Sequence, residues 1–312
     1  MSSSLEFEQA VAALAGTEPE TLPLLEAEGV APWRRLARRF RKNRSAMIAL
    51  TFLVLVVIVA VLAPLLAPFS PRTTSVAVNQ GPSAAHWLGT DDVGGDILSK
   101  LMYGAQVSMR ACIQIVLMAT AVALPLGLVA GYFGRWTDAV IMRVMDALFT
   151  FPPLVLALAV SALLGPSITN VSIAIAIVFV PGFTRLIRAQ VLAVREETFM
   201  EASRAVGAGS GRMMGKHLLP NVASPLIVQV ALSFGFALLA EAGLSFLGFG
   251  VQIPSTSWGT MLGAAYPFIL DKPWPMFPAG IAIFLTVLAF NLVGDGLRDS
   301  LGREIFRVKA EK

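Results

Sequence analysis

Residues 45–71 read SAMIALTFLVLVVIVAVLAPLLAPFSP and contain no charged side chain. A helix needs about 20 apolar residues to cross the hydrocarbon core of a bilayer. The run therefore predicts a membrane-spanning helix at about 46–68. It starts far into the chain and is not followed by a small-residue cleavage site, so we interpret it as a retained signal-anchor rather than a cleaved signal peptide.

Further apolar runs follow along the chain. The run at 147–184 is too long for one helix, and a Gly-Pro-Ser sequence at 165–167 divides it. Pro152 and Pro153 predict a kink in its first half. The composition agrees with a membrane protein, because only 14% of the residues are charged, against about a quarter in soluble domains. We predict an all-α membrane protein with six transmembrane helices, the other five at about 108–131, 144–164, 168–187, 225–249 and 276–296.

The distribution of Lys and Arg predicts the orientation of these spans, because cytoplasmic loops carry an excess of both. With the N-terminus inside, all but four of the 24 basic residues belong to cytoplasmic segments, the exceptions being Arg72, Lys100, Arg110 and Lys272. The opposite orientation would reverse that ratio, so we predict that both termini are cytoplasmic. The net charge of +4 then indicates contact with lipid headgroups rather than with nucleic acid.

The chain is predicted to have four regions. Residues 1–31 are acidic and poor in aromatics, which predicts a mobile tail, with docking to a partner as the alternative. Residues 32–45 form a basic segment on the inner membrane surface. Residues 46–302 form the transmembrane domain, and 303–312 form a cytoplasmic tail. The single cysteine, Cys112, lies in an apolar run and is interpreted as a packing residue.

Few ionisable residues lie within the predicted spans. Glu241 is the only one well inside a helix. Asp146 lies at the cytoplasmic start of span three, and Asp295 lies near Arg298 at the end of span six. A charged carboxylate at the depth of Glu241 costs roughly 2.5–3.5 kcal/mol, so it should face a partner, face a water-filled cavity or be protonated. Two interpretations stay open for it, a structural pair and a part of a transport pathway.

The longest internal loop, at 188–223, is more than a connector. The segment from Arg195 to Lys216 mixes charged and apolar residues, which predicts a short amphipathic helix that projects into the cytosol. Gly207 is the first of three glycines that let the chain turn. Pro220 starts the return towards span five.

The spacing within this loop is specific. A Glu-Ala-Ser sequence at 201–203 is followed after three residues by a glycine and, further on, by a histidine and a Leu-Pro pair. This arrangement resembles the loop motif of ABC importer permeases, in the branch that transports peptides and nickel, with serine for the usual second alanine and histidine for isoleucine. In that family the loop forms a coupling helix that docks into a cleft on a cytoplasmic ATPase. The implied coupling residues are Glu201, Ala202, Ser203, Ala205, Gly207, His217, Leu219 and Pro220.

Three further stretches resemble the same branch. They read HWLGTDDVGGDILS at 86–99, EAGLSFLG at 241–248 with SWG at 257–259, and NLVGDGLRD at 291–299. Gly95 and Lys100 stand where the family usually has arginine. The resemblance covers about residues 40–302. The candidate pore or interface residues are Glu241, Asp146, Asn291, Asp295 and Trp258.

The resemblance implies a multi-pass protein of the bacterial inner membrane that forms half of the translocation pore for di- or oligopeptides. A second, homologous permease would complete the pore. Two cytoplasmic ATPase subunits would bind ATP and Mg, so this chain itself would hold no cofactor and would not be an enzyme. An extracytoplasmic peptide-binding protein would deliver the substrate. Nickel, glutathione or another peptide-like solute is the alternative cargo, because the binding protein largely selects it.

Other classes of function are less well supported by the sequence. A phosphate-binding loop would need a glycine at 210 and a hydroxyl residue at 217, where the chain has Ser210 and His217. His86 and His217 are predicted to lie on opposite sides of the membrane, so no shared metal site is expected. An ion-gradient-driven secondary transporter stays an alternative, supported only by Glu241. A dependence of uptake on ATP would distinguish the two.

The outer segment before span six is rich in aromatic residues and too polar to cross the membrane. Two interpretations are open for Trp258 and its neighbours. They anchor at the lipid interface, or they belong to a short helix or cap that meets the binding protein or lines the pore entrance.

Overall fold

The computed structural model describes the backbone of residues 32–252 and 254–310. The chain divides into two units, residues 1–39 and 40–312. The predicted acidic tail at 1–31 lies outside the described residues. Of the first unit, the structure describes residues 32–39. The second unit contains the helices that are discussed below.

Helices account for the regular structure of the described residues, apart from one isolated β-bridge between Thr90 and Asp96. The predicted all-α fold class is therefore confirmed. The helix Ser210–Phe246 contains a π-helical stretch, Met213–Leu218, and a 3-10 turn, Tyr266–Phe268, follows the helix Trp258–Ala265. In chain order the helices are α1 (Pro32–Lys42), α2 (Arg44–Leu66), α3 (Ile97–Phe133), α4 (Arg135–Phe149), α5 (Pro153–Leu164), α6 (Ile168–Arg195), α7 (Thr198–Ala205), α8 (Ser210–Phe246), α9 (Trp258–Ala265) and α10 (Met276–Ala310).

Five helices in the described ranges are long and apolar enough to cross a membrane, namely α2, α3, α6, α8 and α10. Helices α4 and α5 reach the same standard only as a pair, which is bent by 90°. The prediction of a single helix at 144–164 is therefore wrong, since the chain breaks between Phe149 and Pro153. Two consecutive prolines cause the break, because proline disfavours helical backbone in the residue before it. Pro153 instead begins α5, where a missing N–H does no harm.

Helix α3 begins at Ile97 rather than at the predicted position near 108. The reason is a cap that lies outside the apolar run. Asp96 Oδ2 accepts hydrogen bonds from Ser99 N at 2.8 Å and from Ser99 Oγ at 2.7 Å. A carboxylate at this position satisfies N–H groups that the first helical turn leaves unpaired.

The helices on either side of the loop predicted at 188–223 are also longer than predicted. Helix α6 continues to Arg195, and α8 begins at Ser210 rather than near 225. The loop predicted at 188–223 is therefore reduced to residues 196–209. Helix α8 ends at Phe246 rather than at 249, and α10 continues through the predicted tail as far as Ala310.

Helices α3 and α6 pack closely against each other. A Cβ atom on Gly127 would come within 2.6 Å of Ile187 Cβ, and one on Gly131 would come within 2.6 Å of Val191 Cβ. Both glycines lie one turn apart, as do their two partners. Small residues at this spacing let membrane helices approach closely. The C-terminal half of α6 is thereby held against α3.

The segment between α2 and α3 folds on itself through the residues of the 86–99 stretch. His86 Nδ1 lies 2.9 Å from Asp96 Oδ1. Thr90 Oγ1 accepts a hydrogen bond from Gln80 N at 2.9 Å. Gly89 has φ +81, and a Cβ there would lie 2.3 Å from Gln80 O. These side chains therefore contact one another and the backbone, and they hold the segment between α2 and α3 on the start of α3.

Candidate functional site

The loop at 196–209 carries a short amphipathic helix, α7, within the segment for which the sequence predicts one. Met200 on its inner face is fully buried and belongs to a core cluster with Met213 of α8. On the outer face Glu201, Ala202 and Ala205 are exposed, while Ser203 is half-buried. Helices as short as eight residues are marginal alone, so the Met200 contact stabilises α7 where it lies.

Gly207 ends α7 in a Schellman motif, in which backbone N–H groups bond back to the last turn of the helix. Gly207 N donates to Arg204 O at 2.9 Å, and Ala208 N donates to Ser203 O at 3.0 Å. The glycine has φ +79, as this motif requires. Gly209 and Gly211, in contrast, do not have positive φ angles. Only the first of the three predicted turn glycines therefore uses the left-handed conformation.

The second half of the loop motif lies at the base of α8. His217 is in the π-helical stretch, and its ring centroid is 6.2 Å from that of Phe199 on α7. Leu219 and Pro220 follow within the helix rather than in a returning loop. Asn221 Nδ2 donates to His217 O at 2.7 Å, next to the position where Pro220 supplies no N–H. The structure thus brings the two halves of the motif together around the turn at Gly207.

Ion pairs connect α4 to α6 near the same loop. Asp146 accepts a hydrogen bond from Arg185 at 2.6 Å, and both side chains are substantially exposed. Asp138 receives two hydrogen bonds from Arg188 and is less exposed. Sequence reasoning did not identify this second pair. Its signal was two acids eight residues apart on α4, a spacing that puts them on one face.

The loop is also tied to the end of α3. Arg195, the last residue of α6, donates from Nη1 to Gly131 O and Tyr132 O, both at 3.3 Å. Carbonyl groups at a helix C-terminus lack partners within the helix and attract cations. The start of the loop is therefore fixed on the helix pair α3 and α6.

Glu241 is fully buried among the helices of this chain. Ser245 Oγ donates to its Oε1 at 2.7 Å, and Ser108 and Ser257 flank the carboxyl group. Its Oε2 has no hydrogen-bond partner among the described residues. The side chain therefore faces the interior of the subunit. Of the two remaining candidates, Asn291 is half-buried and Asp295 is exposed.

Trp258 is buried, with 2% of its surface exposed, and it begins the short helix α9. Its indole Nε1 donates to Leu101 O at 2.9 Å, and its backbone N donates to Ser108 Oγ at 3.2 Å. Anchoring at the lipid interface is thus the wrong interpretation for this residue. Tyr266, at the end of α9, is the aromatic side chain that the segment exposes most clearly.

Metal-ligating residues do not cluster in the described ranges, where no group of three or more His, Cys, Asp or Glu side chains could hold an ion.

Comparisons with known proteins agree with this arrangement. The family described as the binding-protein-dependent transport system inner membrane component matches residues 123–307. The N-terminal transmembrane domain of oligopeptide transport permease C matches residues 31–82. The chain therefore belongs to the family of binding-protein-dependent transport system inner membrane components. It is a multi-pass permease subunit of an ABC importer in the inner membrane.

Individual relatives cover most of the chain. The dipeptide transport system permease protein DppC of Alkalihalophilus pseudofirmus is 45% identical over 273 residues, which are 87% of this chain and 90% of the relative. The glutathione transport system permease protein GsiD of Pectobacterium atrosepticum is 40% identical over 90% of this chain and 94% of its own length. GsiD of Escherichia coli O6:K15:H31 is 43% identical over 91% of this chain and 95% of its own length.

Proposed function

We propose that this chain forms half of the translocation pore of an ATP-driven peptide importer. A second, homologous permease supplies the other half. Two cytoplasmic ATPase subunits bind and hydrolyse ATP with Mg, and an extracytoplasmic binding protein delivers the peptide. Membership of the binding-protein-dependent family supports this assembly.

One observation carries the proposal, namely the exposed face of α7. Ala202 and Ala205 are exposed and small, and Val206 beside them is 86% exposed. An apolar surface of this kind on a projecting helix is typical of a docking site. Glu201 lies at its edge and is available for a charge-assisted hydrogen bond to the ATPase. We therefore assign coupling to α7 and to the turn at Gly207.

A bulky side chain on this face tests the assignment. Ala202→Trp should obstruct docking and lower ATP-dependent uptake into vesicles by about tenfold, which corresponds to about 1.4 kcal/mol. Ala139→Trp, at an exposed alanine of α4, is the matched control and should transport normally. Co-purification of the ATPase subunits should fall with Ala202→Trp alone. Equal uptake by both variants would remove the docking role from α7.

We also propose six crossings with both termini in the cytoplasm, counting α4 and α5 as one bent span. Contacts at both ends of the pair support this count. Asp138 near the start of α4 pairs with Arg188, and Asn170 Nδ2 donates to Leu164 O at the end of α5 at 2.8 Å. Asn170 and Arg188 are separated on α6 by about 27 Å at 1.5 Å per residue. That length is close to the hydrocarbon thickness of about 30 Å, whereas a re-entrant loop would return to one side.

Single cysteines test the topology. Ser83→Cys and Ser255→Cys, at exposed positions of the outer segments, should react with an impermeant thiol reagent in intact spheroplasts. Ser210→Cys should react only after lysis. The unsubstituted chain is the control, because its single cysteine, Cys112, is buried and should give only background labelling. Labelling at position 210 in intact cells would overturn the proposed orientation.

Peptides are the proposed substrate class, because the relatives are permeases for dipeptide and for glutathione, which is itself a peptide. Mass spectrometry of the ligand that co-purifies with the binding protein tests this proposal. A short peptide supports it, and glutathione would specify the alternative. A nickel complex would overturn it. Uptake that persists without ATP but stops when the ion gradient collapses would instead indicate a secondary transporter.

A further inference from the structure

The short outer helix α9 is in direct backbone contact with two spans. A Cβ on Gly259 would lie 2.5 Å from Ala242 O of α8, and one on Gly263 would lie 2.8 Å from another carbonyl oxygen of α8. On the other side, a Cβ on Gly104 of α3 would lie 2.9 Å from Trp258 Cδ1. None of the three positions has room for a methyl group. Helix α9 is thus wedged between α3 and α8.

Glu241 lies beside this contact: its Oε1 accepts from Ser245 of the same helix, its Oε2 has no hydrogen-bond partner among the described residues, and Ser108 and Ser257 of the other two helices flank the carboxyl group. Ser245 belongs to α8, Ser108 to α3, and Ser257 is the N-cap of α9. Ser108 Oγ also accepts the backbone N–H of Trp258 at 3.2 Å. A buried carboxyl group is costly unless it is hydrogen-bonded. Separation of α9 from α3 and α8 would take the hydroxyls of Ser108 and Ser257 away from the buried carboxyl group, and this favours the packed position of α9.

Helix α8 extends from this contact to the cytoplasmic loop. It runs for 37 residues from Ser210 to Phe246, which is about 55 Å. Its first residues follow the turn at Gly207 directly. Although it contains a π-helical stretch at Met213–Leu218 and an internal Pro225, the helix is continuous and so connects the outer helix to the coupling turn.

We propose that Glu241 is a positioning residue that fastens α9 to α3 and α8, so that displacement of α9 by the binding protein moves α8 and the coupling turn. This inference rests on the proposed function. A contact between Glu241 and a passing solute does not fit, because the side chain is fully buried. Glu241 therefore influences transport by holding α9 at the ends of two spans, and not by direct contact with substrate.

The experiment uses the complete complex in proteoliposomes with its binding protein. Ala264, exposed on α9, is replaced by cysteine and labelled with a nitroxide, with buried Cys112 left in place. The variants are Glu241→Leu and Glu241→Gln, since glutamine keeps the size of the side chain and its hydrogen-bonding capacity. Ser233→Ala is the matched control, because Ser233 is buried on the same helix but donates to Gln229 O within that helix.

With Glu241→Leu, nitroxide mobility at position 264 should increase. The ratio of binding-protein-stimulated to basal ATPase should fall about five- to tenfold, the size of a typical coupling between two sites. Glu241→Gln should restore most of both properties, and Ser233→Ala should resemble the parent chain. If Glu241→Leu does not assemble, the double variant Ser108→Ala, Ser257→Ala must produce the same pair of changes.

The outcomes separate this inference from the proposed function. Unchanged mobility, or increased mobility with an unchanged ATPase ratio, overturns the role of Glu241. An equal loss in Glu241→Gln and Glu241→Leu also overturns it, because fastening depends on hydrogen bonds that glutamine can make. A parent complex that shows neither ATP-dependent uptake nor stimulation by its binding protein would instead overturn the proposed function.

Discussion

Replacing Gly207 by valine should uncouple the permease from its ATPase without disturbing the spans. The glycine has φ +79, and a Cβ added there would meet no atom of the described residues within 4 Å. Steric contact therefore contributes nothing, and the cost is backbone strain. An L-residue in the left-handed region costs roughly 1–2 kcal/mol. A strain of about 2 kcal/mol lowers the population of the capped turn roughly thirtyfold.

The same loop offers a matched control. Gly209 has φ −68 and also has no atom of the described residues within 4 Å of an added Cβ. Gly209→Val should therefore be tolerated. Gly207→Asn should be intermediate, because asparagine visits the left-handed region more readily than other residues.

The assay is ATP-dependent uptake into vesicles, together with co-purification of the ATPase subunits. Gly207→Val should lose most uptake while the amount of protein in the membrane stays close to that of the parent chain. The reasoning is refuted if Gly207→Val transports as well as Gly209→Val. It is equally refuted if Gly209→Val is as defective as Gly207→Val, because strain at a positive φ would then not be the cause.

Three further predictions concern stability in detergent, measured by thermal unfolding. Asp138→Asn should lower the melting temperature more than Asp146→Asn, because the side chain of Asp146 is 56% exposed against 20% for Asp138 and exposed pairs contribute only about 0–1 kcal/mol; equal losses would contradict this. Trp258→Ala should destabilise the chain by about 3–5 kcal/mol, and Trp258→Phe by about 1 kcal/mol through the lost bond to Leu101 O; parental melting of both would contradict the burial of the indole. Burial and the neighbouring Asp91 raise the pKa of Asp92, so stability falls as pH rises from the ordinary carboxyl pKa through the raised one; Asp92→Asn should therefore raise the melting temperature at neutral pH, with a gain that disappears in acid.

The sequence could locate the candidate spans because charged and unpaired polar groups are costly in the bilayer core, so each span is a run without charged residues. It could not locate the helix ends, because a helix does not stop at the membrane surface. The start of α3 depends on the side chain of Asp96, and the start of α8 follows a glycine turn. The bend between α4 and α5 was indicated by Pro152 and Pro153, but its size depends on the packing of both helices against α6.

The turn at Gly207 could be predicted because its signal is local. A Schellman motif needs only a glycine at one position after a short helix, and Gly207 is at that position. Contacts between distant residues could not be predicted. The partner of Asp138 is 50 residues away, and Trp258 bonds to Ser108 across 150 residues. No periodicity in a single chain relates such positions, so the burial of Glu241 and Trp258 emerged only from the fold.

The glycines of α3 have a consequence for genetics. Gly127 and Gly131 set how near α6 lies to α3, and Arg195 at the end of α6 bonds to the carbonyl of Gly131. An added methyl at either glycine would push α6 away from α3 and would move the start of the loop that follows α6. A screen for transport-defective alleles should therefore recover alanine substitutions at these positions, although both glycines are buried between the two helices. Such alleles would show that transport depends on the distance between α3 and α6.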